Sequence, residues 1–235
     1  MKNEEIDDVL KKAAQTPQEL DPIVLERIDD SIRRSLRPVK PLPPVWLIAG
    51  GLVLVCTAIA LAGAARAGFF GVAKMNLLER SLVFSALGLL ASLAAVSFIH
   101  QMIPASRVRL SPCGLLTLSS VVLLAVFAHL FRDYHADHFL SAGIACLLTG
   151  LVYAIPAGLL SWLMLRRGFA VNPASAGLVA GTLGGLAGVG MLELHCPNFQ
   201  AAHILFWHTA VVPVSAALGA ILSCELHLRA HSDHR

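Results

Sequence analysis

The densest group of potentially reactive side chains in the sequence is the stretch LHCPNFQAAHILFWH, residues 194–208. It holds one cysteine, three histidines and a tryptophan within a chain that is 56% hydrophobic. Thiolate and imidazole together suit zinc and copper, and a nearby protonated histidine or helix N-terminus makes a thiol more reactive by lowering its pKa. The composition therefore fits a metal site, a redox-active thiol, or a polar cap between two helices.

The spacing of the histidines limits the first of these interpretations. His203 and His208 lie five residues apart, which turns their side chains about 140° from each other in an α-helix. They are therefore not the i, i+4 pair of a helical metal clamp. His195, which adjoins Cys196, could still converge across the turn with one of them. Three roles stay open for these histidines: they could cap helix ends, act as auxiliary ligands of a transition metal, or tune the Cys196 thiol. We expect no cofactor other than such a metal.

The elements that must position these residues follow from the composition. Mean hydropathy is +0.71 and 14% of residues are charged, against about 25% in soluble domains. Residues 1–40 hold 8 of the 18 Lys and Arg and 9 of the 15 Asp and Glu. This distribution predicts an all-α polytopic membrane protein with a short helical head. The first apolar run begins only near Val45, which favours a signal anchor over a cleaved signal peptide.

Six apolar stretches are long enough to span a bilayer as helices, which takes about 20 residues each. They are predicted at residues 45–65, 81–103, 113–131, 139–165, 174–194 and 203–224. The predicted organisation is a head with a Pro-rich tether (1–44), a six-helix domain (45–228) and a tail (229–235). Ser111 before Pro112 and Asn172 before Pro173 mark two helix starts, because they combine an N-cap residue with proline at the first helical position.

The distribution of basic residues predicts the orientation. With both termini in the cytoplasm, ten Lys and Arg near the spans lie inside and four lie outside, which satisfies the positive-inside rule. Of the five cysteines, only Cys146 and Cys196 then lie at the outer, oxidising side. A disulfide between them is geometrically possible if the fourth and fifth helices are neighbours.

The fifth predicted span is rich in glycine at intervals of four residues. Gly177, Gly181 and Gly185 form overlapping small-xxx-small pairs, and Gly184 and Gly188 form another. Such pairs let helix backbones approach closely. We expect tight packing within the bundle, with a homodimer face as the alternative.

The head contains two short amphipathic helices that are too small to build a core of their own. The second is predicted to run from Asp21 to about Leu36. We expect the apolar stripes to dock on a cytoplasmic protein, with the membrane surface as the alternative. The stripe residues are Ile6, Val9, Leu10, Leu25, Ile28, Ile32 and Leu36.

The sequence carries no recognisable catalytic motif. A nucleophile elbow, an HExxH motif and a P-loop are missing, and no span carries a central acidic or basic residue of the kind that marks an ion path. We therefore expect a protein that is neither an enzyme nor a proton-coupled transporter, and no direct contact with nucleic acid.

The chain resembles, in outline over most of its length and most specifically from Cys146 to His208, the NrsF-like family of six-pass bacterial inner-membrane anti-sigma factors. CLLTGLVYAIPAGLLSWLMLRRG is similar to that family's cysteine-started fourth helix, and NPASAGLVAGTLGGLAG to its Pro-started, Gly- and Ala-rich fifth helix. ELHCPNFQAAHILFWH is similar to its cysteine-containing turn, although Trp207–His208 stands where Trp–Tyr is expected.

The resemblance implies a function for the head and for two of the cysteines. The head would sequester a cytoplasmic sigma factor at the inner membrane and so withhold it from RNA polymerase. The family's pair of cysteines, linked to sigma-factor release under metal or oxidative stress, corresponds by position to Cys146 and Cys196. The alternative is a membrane metal-binding or redox protein that uses Cys196 and its histidines.

Overall fold

The head and the membrane domain are two separate units in the computed structural model of the chain. The structure describes residues 11, 22–35, 43–103, 110–134, 138–167 and 172–232, and the division between the units falls after Leu42. Within the described residues the regular elements are helices, and extended pairing is limited to an isolated bridge between Asp133 and Gln200. The prediction of an all-α protein is confirmed.

Among the described residues, six helices are long and apolar enough to cross a membrane, as predicted. The last one continues from α8 through a π-helical segment into α9. The elements are α1 (Pro22–Ser35), α2 (Val45–Ala67), α3 (Phe70–Lys74), α4 (Leu77–Met102), α5 (Pro112–Leu130), α6 (Phe139–Arg167), α7 (Pro173–His195), α8 (Ala201–His203), the π segment (Ile204–His208) and α9 (Thr209–Ser232).

Two of the predicted helix starts are confirmed by their capping hydrogen bonds. The side chain of Ser111 accepts a hydrogen bond from the backbone N–H of Gly114 at 3.0 Å. Asn172 accepts one from the N–H of Ser175 at 3.1 Å. Each cap satisfies a backbone donor that the first helical turn leaves without a partner.

The second span begins at Leu77, four residues before its predicted start. Asn76 and Glu79 form a capping box, in which each side chain accepts a hydrogen bond from the other residue's backbone N–H. Hydropathy alone placed the start too late, because the first turn of this helix contains the charged residues Glu79 and Arg80.

Helix α7 is the axis of the bundle. Its most apolar window is 83% buried, against 22 to 44% for the other spans, and it contacts α2, α4, α5, α6 and α9. A Cβ atom at Gly188 would overlap the carbonyl oxygen of Gly150 in α6, and one at Gly181 would overlap that of Ser215 in α9. The glycines are thus used for packing within the bundle, and the homodimer face predicted as the alternative is covered by the chain itself.

Three connections meet at the end of the bundle that holds Cys196, which we call the Cys196 end. Lys74 donates a hydrogen bond from Nζ to the carbonyl oxygen of Pro197 at 3.0 Å. The backbone N–H of Ala201 donates to the carbonyl oxygen of Asp133. The α2–α4 and α5–α6 connections therefore both hold the turn between α7 and α8.

The described part of the head is helix α1, which presents its apolar residues to solvent. Leu25, Ile28 and Ile32 remain 50%, 46% and 51% exposed. The helix agrees with the predicted second head helix within the described residues. Ile6, Val9, Leu10 and Leu36, with most of the first predicted helix and the tether, lie outside the described residues.

Candidate metal or thiol site at the Cys196 end

Four side chains from three helices converge at the Cys196 end. Cys146, Cys196, His203 and His208 each offer one ligand atom, and these atoms all lie within 4.8 Å of one another. The two Sγ atoms are 3.5 Å apart, and Cys196 Sγ is 3.7 Å from Nε2 of His203. Three of the residues are buried and Cys146 is partly buried. We call this group the Cys2His2 cluster.

The two cysteines meet because helices α6 and α7 pack closely. Cys146 lies two turns into α6, and Cys196 caps the C-terminus of α7, its backbone N–H donating to the carbonyl oxygen of Leu192. One turn beyond Cys146, Gly150 contacts Gly188 of α7 backbone to backbone. The glycine contact brings the helices near enough for the thiols to touch.

The two histidines lie side by side, contrary to the divergence predicted from their spacing. Residues Ile204–His208 form a π-helical segment. In a π-helix the hydrogen bond links residues i and i+5, so residues five apart lie above one another as residues four apart do in an α-helix. The rings of His203 and His208 are consequently 5.3 Å apart, edge to face.

Glu193 belongs to this site and was not predicted. Its Oε1 lies 2.6 Å from Nδ1 of His208, and both side chains are 1% exposed. Glu193 lies near the C-terminal end of α7, where exposure to water is expected, but its side chain is buried against His208, and Gly71 of the α2–α4 connection packs against its backbone. The available signal was an ionisable residue within a predicted span, which by default indicates a functional site.

His195 is outside the cluster, although it adjoins Cys196 in the sequence. Its Nδ1 lies 3.0 Å from the carbonyl oxygen of Gly68, and its ring packs 5.9 Å from that of Phe70. The convergence of His195 across the turn with His203 or His208, which the sequence left open, is not seen in this structure. Its side chain instead fixes the α2–α4 connection onto the turn.

The environment of Cys196 keeps its thiol protonated. The hydrogen bond with Cys146 raises the pKa of Cys196 most, burial raises it further, and the neighbouring His203 and His208 only partly oppose this. The two histidines thus lower the pKa of Cys196, as expected, but by less than the hydrogen bond with Cys146 and burial raise it. A thiol with a raised pKa is a poor nucleophile at neutral pH.

The cluster supports two kinds of chemistry. Two thiols in contact can be oxidised to a disulfide, and two thiolates with two imidazoles can bind a transition metal.

Among known proteins, the family model described as NrsF, negative regulator of sigma F, matches residues 33–228 of this chain. No curated protein and no solved structure matches the chain.

Proposed function

The chain belongs to the NrsF family of negative regulators of a sigma factor, and we propose that it holds an extracytoplasmic-function type sigma factor through its N-terminal head. In this proposal the protein lies in the bacterial inner membrane with both termini in the cytoplasm. It releases the sigma factor on envelope stress that is sensed at Cys146 and Cys196. Bound at the membrane, the sigma factor is withheld from RNA polymerase.

The observation that carries the docking part of the proposal is the exposed apolar stripe of α1. Leu25, Ile28 and Ile32 share one face at helical spacing and are about half exposed. An isolated helix of 14 residues is marginal in water, so a partner that covers this face would stabilise it. Helix-in-groove binding uses anchors of this kind, at i, i+3 and i+7.

The sensing part of the proposal rests on the contact between Cys146 and Cys196. A two-electron oxidant would remove two electrons and two protons from the thiols and join the sulfurs, while a thiophilic metal would displace the two protons. Either event changes how α6 and the last span pack on α7. Because α7 contacts every other span, a shift at its Cys196 end can reach the opposite end, where α2 follows the head.

The test is co-purification of sigma factor with the full-length protein from its native membrane. Ile28→Asp places a charge on the stripe, and we expect about a tenfold or greater loss of retained sigma factor. Arg27→Ala is the control, because it makes the same one-unit change in net charge on another face of α1. Equal retention by both variants would show that the stripe does not bind the sigma factor.

The Cys2His2 cluster favours a second candidate, a membrane metal-binding or redox protein whose head has no sigma partner. It predicts that no sigma factor co-purifies with the unmodified protein. The same experiment therefore separates the two functions.

A further inference from the structure

We propose that Cys146, Cys196, His203 and His208 form a four-coordinate site for a divalent metal of the zinc type, with Glu193 orienting His208. This inference rests on the proposed function, since it names the chemical class of the signal that the cysteines receive. It also identifies three residues beyond the cysteine pair that the sensor requires.

Two of the six separations within the cluster are close to the edges of a tetrahedral zinc site. Zinc bonds of about 2.3 Å to sulfur and about 2.0–2.1 Å to nitrogen give tetrahedron edges of about 3.8 Å between sulfurs and about 3.5 Å between sulfur and nitrogen. The observed separations are 3.5 Å between the cysteine sulfurs and 3.7 Å from Cys196 Sγ to His203 Nε2. The ligand atoms of the remaining pairs lie within 4.8 Å of one another, and any pair wider than a tetrahedral edge would close by side-chain movement when a metal binds.

The contact between Glu193 and His208 has the form of an outer-shell interaction at a metal site. Metal-binding histidines usually donate their second ring N–H to a carboxylate, which fixes the tautomer and the ring orientation. Here Nδ1 of His208 faces the Glu193 carboxylate at 2.6 Å. Nε2 of His208 is buried and has no hydrogen-bond partner among the described residues, so the nitrogen left free is the one available to a metal.

A disulfide sensor would require none of these polar groups. A buried polar atom without a partner costs about 1–3 kcal/mol, and a buried carboxylate near a membrane-spanning segment is costly. Joining Cys146 to Cys196 would leave Nε2 of His208 without a partner among the described residues, and it would not change the pairing of Glu193 with Nδ1 of His208. In a metal site both histidines would act as ligands, and the π segment brings their two rings together.

The charges of the bound state also suit an apolar bundle. Binding displaces one proton from each thiol and, where the ring of His208 is protonated beside Glu193, its Nε2 proton, so that two thiolates neutralise the two positive charges of the metal. The Glu193 carboxylate keeps its charge and accepts a hydrogen bond from Nδ1–H of His208. The imidazoles bind as neutral ligands. With four protein ligands no coordination position stays open, which is typical of a structural or regulatory site and not of a catalytic one.

The test uses purified full-length protein in detergent, with Co²⁺ as a spectroscopic probe and Zn²⁺ as its competitor. We expect one equivalent of Co²⁺ with thiolate-to-metal charge transfer and the visible bands of tetrahedral cobalt, both lost on adding Zn²⁺. His203→Ala, His208→Ala or Cys146→Ser should remove the tetrahedral spectrum. Glu193→Gln should keep it but weaken binding about 10- to 100-fold.

Two controls make the result specific. His195→Ala removes an imidazole next to Cys196 that lies outside the cluster, and it should bind Co²⁺ like the unmodified protein. His203→Cys should restore a four-coordinate spectrum with a stronger charge-transfer band, which separates the loss of a ligand from misfolding. Monodisperse elution of each variant verifies its fold.

Several outcomes would overturn the inference. These are less than a tenth of an equivalent of bound metal, a spectrum that persists in His203→Ala and His208→Ala, or unchanged affinity in Glu193→Gln. Sigma-factor retention is measured on the same preparations without added metal. Retained sigma factor without metal binding would refute this inference alone, whereas metal binding without retained sigma factor would refute the proposed function.

Discussion

At the scale of single residues, burial distinguishes Cys113 from Cys196. Cys113 is exposed at the start of α5, whereas Cys196 is 5% exposed under the connections of the Cys196 end. The pKa of Cys196 is raised first by its hydrogen bond with Cys146 and then by burial. Both effects reduce the reactivity of this thiol towards alkylating reagents.

We therefore predict that maleimide modifies Cys113 at least about ten times faster than Cys196 in the folded protein at neutral pH, since only the thiolate reacts. Because the pKa of Cys196 is raised, its rate should keep increasing with pH above the range where an ordinary thiol is already ionised. Mass spectrometry of peptides after timed labelling measures both rates, with unfolded protein as the control. Comparable rates for the two thiols in folded protein would contradict the described burial of Cys196.

The pairing of Cys146 with Cys196 could be predicted from topology, because alternating spans place residues 146 and 196 at the same end. The contribution of His208 could not be, since periodicity arguments assume an α-helix and the π segment changes which residues share a face. Glu193 was missed for a different reason. Its side chain is buried against His208, fifteen residues away in sequence, and hydropathy contains no information about that contact.

At the scale of elements, α7 sets the geometry of the site through its glycines. The six spans could be predicted from the lengths of the apolar stretches. Two helix N-caps could be predicted from the Ser-Pro and Asn-Pro pairs. That α7 is the central helix was not predicted, although its glycine content indicated close packing. The contact between Gly188 and Gly150 fixes the distance between α6 and α7, and therefore the approach of Cys146 to Cys196.

We predict that Gly188→Ala destabilises the bundle by about 1–3 kcal/mol, because the new methyl group would overlap the backbone of Gly150. The unfolding midpoint in detergent should fall by about 2 °C or more, and Co²⁺ binding should weaken. Gly190→Ala is the matched control on the same helix, since the nearest atom to its Cβ would be Ala60 Cβ at 3.8 Å. Equal midpoints for the two variants would show that the α6–α7 contact is not close packed.

At the scale of the whole molecule, the proposed function assigns binding to the head and sensing to the bundle. The head is a separate unit that presents an apolar stripe, and the cluster lies wholly within residues 43–235. The family match covers residues 33–228, so it includes the bundle and only the last residues of α1. A head that lies mostly outside the shared pattern is consistent with a partner-specific docking segment on a common sensor.

This division predicts that the signal and the partner can be uncoupled by substitution in the bundle alone. Added Zn²⁺ should release sigma factor from the unmodified full-length protein. Cys146→Ser should retain sigma factor with and without Zn²⁺, because the head is intact but the metal has lost a thiolate ligand. Cys113→Ser, which removes an exposed thiol outside the cluster, should release sigma factor like the unmodified protein.

The measurement is the amount of sigma factor that is eluted from the immobilised complex as the Zn²⁺ concentration is increased, with Mg²⁺ as the hard-metal control. Release from Cys146→Ser at the same Zn²⁺ concentration as from the unmodified protein would place the sensor outside the Cys2His2 cluster.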